Sequence, residues 1–230
     1  MPSHSPSQPL LHHTLLTLLC TLLTTPHFVV PQPQIPLFLG LSLPLSNLTL
    51  TTLSSTAVSL AHAFNPADAG IRDDLRAVQA MDGWVLPPLA HVTSLYVGGR
   101  VPAGAPQSVY YKYFREGVPI RVQFGAVAYI PGGILAYIAF FDRDTIYNDN
   151  SFPHCTLLSK SLSPVYSNNL IAALYSTSPI FKQLYDNEFT TPSASPVGSA
   201  DVQIDGNTMR AYWIILPLME IVGYTKKFYQ

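Results

Sequence analysis

The sequence predicts an α+β fold with mainly antiparallel strands and flanking helices. Segments rich in β-branched and aromatic residues are joined by short glycine-containing turns, which is typical of antiparallel hairpins. The order strand, helix, hairpin follows residue 91 and occurs again after residue 154. This repetition indicates an internal duplication, and therefore a pseudo-two-fold axis.

The distribution of charge divides the chain. All 12 Lys and Arg residues and all 13 Asp and Glu residues lie from Asp68 onward. We therefore predict an uncharged low-complexity leader over 1–64, disordered or targeting, and a folded domain over 65–230. The leader has no Lys or Arg and is interrupted by proline, so a membrane anchor is the least favoured alternative. We favour the cytoplasm or nucleus, with organelle or secretory targeting by the leader as alternatives.

The first elements of the folded domain are predicted from capping and turn residues. Asn65 before Pro66 is typical of a helix start. Paired prolines split the next extended region, and a pair of glycines ends it. The predicted elements are a helix over 65–81, extended segments over 84–86 and 89–97, and a helix over 108–116.

Two hairpins dominate the rest of the domain. Their turns are Pro131-Gly132-Gly133 and Asp205-Gly206-Asn207, and Gly125 is expected to mark a bulge or a bend within a strand. Ser167 is a candidate N-cap for a helix that lies between the hairpins. The predicted elements are strands over 118–130 and 134–141, a strand over 153–158, the helix that Ser167 would cap, and two strands over 199–216.

Two histidines carry the candidate chemistry. His91 and His154 are the only histidines after residue 62, and each is followed two positions later by a threonine, Thr93 or Thr156. Since residues i and i+2 of a strand share a face, each histidine and its threonine point to the same side. By the same alternation Tyr96 is expected to face away from His91, so we leave it out of the site.

Two imidazoles and two hydroxyls suit phosphoryl chemistry without a metal. A neutral histidine can take a proton from an attacking water, while a protonated histidine gives one to the leaving oxygen. Threonine hydroxyls can donate hydrogen bonds to the non-bridging phosphate oxygens, where charge builds up. A single His-x-Thr triplet is more often structural than catalytic, so the hypothesis depends on the pair.

The chain from about residue 84 to 225 resembles the 2H phosphoesterase superfamily, through "HVTSLYV", "HCTLL", the hairpin "VPIRVQFGAVAYIPGGILAYIAF" and the helix "SPVYSNNLIAAL". Within it, the sequence is most similar to the cyclic-phosphodiesterase domain of tRNA ligases and RNA-repair proteins. The resemblance implies a bilobal catalytic domain that hydrolyses RNA 2′,3′-cyclic phosphate ends. His91 and His154 would be catalytic, and Thr93 and Thr156 would bind the substrate. Ser94 departs from the pattern, which has an apolar residue there.

The resemblance also implies no cofactor and no metal, RNA or a nucleotide with a cyclic phosphate end as the partner, and a monomer. Two alternatives stay open: a non-catalytic nucleotide- or protein-binding module on the same fold, and a 3′→5′ RNA exonuclease of the same superfamily. The formal net charge of −1 argues against a broad basic surface for nucleic acid but leaves a local basic groove open. The chain is too short to include ligase or kinase domains as well, so end joining is not expected. No Gly-x-x-x-x-Gly-Lys-[Ser/Thr] loop occurs.

Overall fold

The structure is a computed structural model that describes residues 34–64, 66–67, 69–142, 144–190 and 195–229. These residues form seven strands and five helices, which confirms the predicted α+β class. The elements are β1 (Phe38–Ser42), α1 (Asn47–Phe64), α2 (Ala69–Ala80), β2 (His91–Tyr96), α3 (Ala105–Tyr113), β3 (Pro119–Ile130), β4 (Ile134–Phe140), β5 (His154–Ser159), α4 (Tyr166–Thr177), α5 (Pro179–Asp186), β6 (Val197–Ile204) and β7 (Asn207–Phe228).

The strands join one antiparallel sheet in the order β2-β1-β7-β3-β4-β5, with β6 paired to β7. The long strands β3 and β7 run through both halves of this sheet. Their register shifts where the halves meet, at Gly125 in β3 and near Pro217 in β7. Of the two alternatives at Gly125, a bulge or a bend, this shift shows a bulge. The first half therefore holds β1 and β2, and the second half holds β4, β5 and β6.

The two faces of the sheet are covered differently. We call the face that α1 and α2 cover the inner face and the opposite one the outer face. On the inner face, residues such as Leu41, Val92 and Tyr129 pack with these helices in one core cluster. On the outer face of the second half, residues such as Ala128 and Trp213 pack with α4 and α5 in a second cluster. Helix α3 packs in a third, smaller cluster with β1 and the end of β2. None of the described helices is both long and apolar enough to cross a lipid bilayer.

The compact part of the chain begins earlier than the charge distribution predicts. Its boundary lies at Ile35 rather than after residue 64. Strand β1 pairs with both β2 and β7, and α1 buries Leu50, Val58 and Ala61 in the main core. The difference arises because burial follows the pattern of apolar residues, whereas charge marks only the exposed positions. The expected targeting role of the leader concerns 1–33, which lie outside the described residues.

Most predicted elements occur with shifted ends. The predicted helix over 65–81 is α2, and its proposed cap, Asn65, lies outside the described residues. Helix α3 starts three residues before Ser108 because Gly104 takes the N-cap position and Pro106 fits the first turn. Both predicted hairpins are confirmed. At the second turn Asp205 and Gly206 have φ values of 52° and 77°, as a tight hairpin turn requires.

Helix α5 and the second half of β7 were not expected from the sequence. The side chain of Ser178 accepts a hydrogen bond from the backbone N–H of Phe181, and Pro179 follows it at the first helical position. This Ser-Pro pair is a capping signal that sequence reasoning passed over. Strand β7 continues beyond Pro217 because the proline falls in the irregular segment, where the ladder to β3 is interrupted.

Candidate active site

Strands β2 and β5 carry the two His-x-Thr motifs with the same local geometry. The register of β2 against β1 shifts immediately after Thr93, and that of β5 against β4 shifts immediately after Thr156. Ser94 and Leu157, three positions after their histidines, are thus the extra residues of two bulges. The two motif strands are therefore equivalent in structure.

Each threonine lies opposite a small residue on the neighbouring strand. Gly40 of β1 is opposite Thr93, and Ala136 of β4 is opposite Thr156. A Cβ atom at Gly40 would collide with the backbone carbonyl oxygen of Val92. The close approach of β1 to β2 therefore requires glycine at this position.

Both imidazoles are fixed by the same type of hydrogen bond. Nδ1 of His91 lies 3.0 Å from the carbonyl oxygen of Leu89, and Nδ1 of His154 lies 2.8 Å from the carbonyl oxygen of Phe152. A carbonyl oxygen can only accept, so each Nδ1 carries the hydrogen and donates it. Nε2 of each ring is then left as the atom that can exchange a proton with a substrate.

The segments around the two motifs lie side by side, although β2 and β5 stand at opposite ends of the strand order. Because position numbers rise along one segment as they fall along the other, the segments run antiparallel. Three contacts show this direction. The backbone of Val85 pairs with that of Ser159, and the backbone of His91 contacts the thiol of Cys155. The carbonyl oxygen of Thr93 lies 3.4 Å from Nδ2 of Asn150.

The histidines share the outer face of the sheet. Their neighbours Val92 and Cys155 are fully buried in the inner-face core, so His91 and His154 point the other way. Burial also raises the pKa of the Cys155 thiol to about 12, although the backbone hydrogen bond with His91 acts to lower it. Cys155 is therefore a neutral core residue that joins the two motif strands.

The pKa of each imidazole is lowered, which favours the neutral form of both rings. Burial lowers the pKa of His91, and the hydrogen bond with Leu89 partly opposes this effect. Burial lowers the pKa of His154 to about 4; the hydrogen bond with Phe152 raises it, and the charge of His91 lowers it further. A charge on one imidazole therefore disfavours a charge on the other.

A cavity of about 490 Å³ joins the two motifs. His91 and Thr156 both line it, together with the loops 85–88 and 159–164. The second loop leads into the first turn of α4, whose positive end favours a nearby anion. The cavity thus brings an imidazole from one motif together with a hydroxyl from the other.

Thr156 is held by the helix that follows its strand. Its Oγ1 lies 2.9 Å from the hydroxyl oxygen of Ser167, which is fully buried. Sequence reasoning expected Ser167 to cap α4, but the N-cap residue is Val165 and Ser167 lies inside the first turn. Its hydroxyl is turned towards β5 and orients Thr156 instead.

Ser94 departs from the expected apolar pattern for a local reason. Its side chain is fully buried and donates to the carbonyl oxygen of Leu39 at 3.2 Å. Its hydroxyl also lies 3.1 Å from the hydroxyl oxygen of Tyr110 on α3. A polar residue fits here because α3 brings a second hydroxyl to the bulge.

The bulge at Ser94 overturns one expectation about the site. It reverses the alternation of side chains along β2, so Tyr96 lies on the same face as His91 rather than on the opposite one. Tyr96 is directly opposite Phe38, and the ring of Phe38 stacks on His91 with centroids 4.8 Å apart. Phe38 and Gly40 were missed because both fall in the segment predicted to be an unstructured leader.

Comparisons with known proteins show the fold. The crystal structure of a fungal RNA kinase matches this chain with a TM-score of 0.52 and 11% sequence identity. The match covers 99% of this chain and 54% of that chain, so this chain spans about half the length of the protein it matches. No protein-family model and no curated protein matches the sequence.

Proposed function

We propose that the chain is a metal-independent phosphodiesterase of the 2H type, which hydrolyses RNA 2′,3′-cyclic phosphate ends. One observation carries the proposal. Two imidazoles lie on the same face of adjoining antiparallel segments, and each donates its Nδ1 hydrogen to the carbonyl oxygen two residues before it. The fold likeness to a protein titled as an RNA kinase supports a broader role in the processing of RNA ends.

The proposed reaction needs one neutral and one protonated histidine. Nε2 of the neutral ring takes a proton from water as the water oxygen bonds to phosphorus. Nε2–H of the protonated ring gives its proton to the ribose oxygen as the bond from phosphorus to that oxygen breaks. The products are a terminal phosphate monoester and a free ribose hydroxyl, and the two histidines have exchanged protonation states.

We assign His154 as the base and His91 as the acid. The pKa of His154 is lowered to about 4, so this ring stays neutral over most of the pH range. His91 stacks on Phe38 with a ring centroid distance of 4.8 Å, and an aromatic face favours a cation. When only one proton is shared by the two rings, His91 is therefore the ring that holds it.

The threonines would bind the phosphate. Thr93 and Thr156 share the outer face with the histidines of their own strands, and each is half-buried. Their hydroxyls would donate to the two non-bridging oxygens, on which negative charge grows during attack. The first turn of α4 would add its partial positive charge on the side of Thr156.

The test is hydrolysis of a labelled oligonucleotide that ends in a 2′,3′-cyclic phosphate, with EDTA present. We expect conversion to a phosphomonoester, and a loss of about 10²-fold or more in kcat/KM for His91→Ala and for His154→Ala separately. His62 on α1 offers a matched control, and His62→Ala should retain the wild-type rate. Product analysis would identify the product as a 2′- or a 3′-phosphate.

Three outcomes would count against the proposal. Full activity in either His91→Ala or His154→Ala would rule out a mechanism with two histidines. RNA binding without any hydrolysis, by a wild-type protein whose circular dichroism shows it to be folded, would favour the non-catalytic module. Progressive shortening of an RNA with a 3′-hydroxyl end would favour the exonuclease.

A further inference from the structure

The outer face of the first half of the sheet carries a regular array of side chains. Residues directly opposite each other on paired antiparallel strands point to the same side. Among the described residues no helix packs against this side, and we call it the open face. Its three rows are Tyr96–Phe38–Phe228, Thr93–Gly40–Lys226 and His91–Ser42–Tyr224.

Aromatic rings cluster on the open face. Phe38 and Phe228 are stacked, with centroids 4.5 Å apart and planes at 17°. Tyr96 is 69% exposed and Tyr224 is 48% exposed. The surface is continuous with the candidate catalytic site, because His91 lies 5.1 Å from Phe228 between ring centroids.

A positive charge lies among these rings. The ammonium group of Lys226 is 5.9 Å from the ring centroid of Phe228. No carboxylate of the described residues forms an ion pair with Lys226, whereas Arg121 farther along the sheet is paired with Glu220 at 3.7 Å. The charge of Lys226 is therefore available to an anionic ligand, and it lies in the same row as Thr93.

We propose that the open face binds the single-stranded RNA segment that precedes the reacting end, with its bases on the aromatic rings and a backbone phosphate at Lys226. Tyr96 and Tyr224, the exposed rings of this face, can stack bases regardless of sequence, and a lysine beside them neutralises the backbone. Adjacent rows are roughly 6.8 Å apart along a strand, a distance that one nucleotide of an extended strand can span. The direction of the bound RNA rests on the proposed function, which places the cyclic phosphate between His91 and His154.

The exposed members of the array allow a direct test that does not need catalysis. The probe is a 5′-fluorescein-labelled single-stranded RNA octamer of mixed sequence with a 3′-hydroxyl end, followed by fluorescence anisotropy. We expect Tyr224→Ala and Tyr96→Ala each to weaken binding about tenfold. We expect Lys226→Gln to weaken it about tenfold at low salt and to reduce the slope of log K against log salt by about 0.7.

A second cation–aromatic pair supplies the matched controls. On α3 the ammonium group of Lys112 lies 5.3 Å from the ring centroid of Tyr113, which is 67% exposed. Lys112→Gln and Tyr113→Ala remove the same kinds of side chain outside the open face, so both should bind the octamer with wild-type affinity. A blunt RNA duplex should bind more weakly than the single strand, because its bases are not available for stacking.

Hydrolysis separates this inference from the proposed function. Lys226→Gln should raise KM for an octamer with a cyclic phosphate end about tenfold, and should leave kcat/KM for a nucleoside 2′,3′-cyclic phosphate unchanged. Wild-type affinity for the octamer in the Lys226, Tyr96 and Tyr224 variants would overturn the inference. So would absence of octamer binding by the wild type, even if the mononucleotide is hydrolysed. Octamer binding that depends on these residues, without any hydrolysis, would support the open face and reject the proposed function.

Discussion

The ring of Phe38 stacks on the imidazole of His91, with centroids 4.8 Å apart and planes at 27°. Phe38 lies opposite Tyr96 and His91 lies opposite Ser42, so Gly40 stands between them on β1. The absence of a side chain at Gly40 leaves room for the two rings to meet. This contact gives a strand outside the two motifs a direct part in shaping the environment of a candidate catalytic residue.

Gly40→Ala should therefore destabilise the fold. The new Cβ atom would collide with the carbonyl oxygen of Val92, and β1 and β2 would have to separate beside Thr93. We expect the free energy of unfolding, measured by urea titration, to fall by about 1–3 kcal/mol. Ser42→Ala on the same strand is the control and should change it by less than about 0.5 kcal/mol. A Gly40→Ala protein as stable as wild type would contradict the close approach of the strands.

The pKa values of the two histidines predict an acidic optimum for hydrolysis. In the proposed mechanism His154 is neutral and His91 is protonated. The plot of kcat/KM against pH should therefore form a bell between about 4, the pKa of His154, and a value below 6.5, the ordinary pKa from which that of His91 is lowered. Above this bell the rate should fall about tenfold per pH unit. The measurement is kcat/KM for a nucleoside 2′,3′-cyclic phosphate across pH 3.5–8. A maximum above pH 7 would contradict the assignment.

The same shift predicts how stability depends on pH. His154 has a lower pKa in the folded state than the ordinary value of 6.5, so the unfolded chain binds the proton more readily. Above pH 6.5 the imidazole is neutral in both the folded and the unfolded state and does not change the free energy of unfolding. That free energy falls as the pH is lowered from 6.5 towards about 4, because the unfolded chain takes up the proton first. We expect the free energy of unfolding to drop by up to about 1.4 kcal/mol per pH unit across this window.

Two substitutions on β5 test this linkage. His154→Gln should make the dependence of unfolding free energy on pH shallower, because the shifted group is gone. Thr156→Val removes no titrating group and should keep the wild-type slope. Equal slopes in wild type and His154→Gln would show that the burial of this imidazole does not control stability in acid.

The contact between Thr156 and Ser167 predicts a coupled effect on catalysis. Thr156→Val should lower kcat/KM roughly 10²-fold, because it removes the hydroxyl that we propose to stabilise the transition state, and Thr156→Ser should restore most of it. Ser167→Ala should lower kcat about tenfold through the orientation of Thr156, with the pH profile unchanged. The double variant Thr156→Val/Ser167→Ala should be no slower than Thr156→Val. Multiplied losses would mean that Ser167 acts independently of Thr156.

Ser94 and Tyr110 should be coupled in stability. Burial raises the pKa of Tyr110 to about 12, with an opposing effect from the hydrogen bond to Ser94, so its hydroxyl stays protonated. Ser94→Ala leaves this hydroxyl without its partner and should cost about 1–2 kcal/mol. A double-mutant cycle with Tyr110→Phe should give a coupling free energy of at least about 0.5 kcal/mol. Additive losses would show that the hydroxyls do not interact.

Local patterns in the sequence determined much of this protein. Glycine at turns and the alternation of β-branched residues predicted both hairpins, because the conformation of a tight turn depends mainly on neighbouring residues. The spacing of His91 and Thr93, and of His154 and Thr156, placed each pair on one side of a strand for the same reason.

Tertiary structure decided what the local patterns could not. The alternation of side chains along a strand wrongly predicted the side of Tyr96, since a bulge depends on the partner strand. Strand β1 was not predicted, because it lies in a segment without charged residues. The meeting of β2 and β5 depends on the curl of the whole sheet around α1 and α2, which positions residues far apart in the chain. The environment of each histidine, and therefore its pKa, follows from that burial and not from the motif itself.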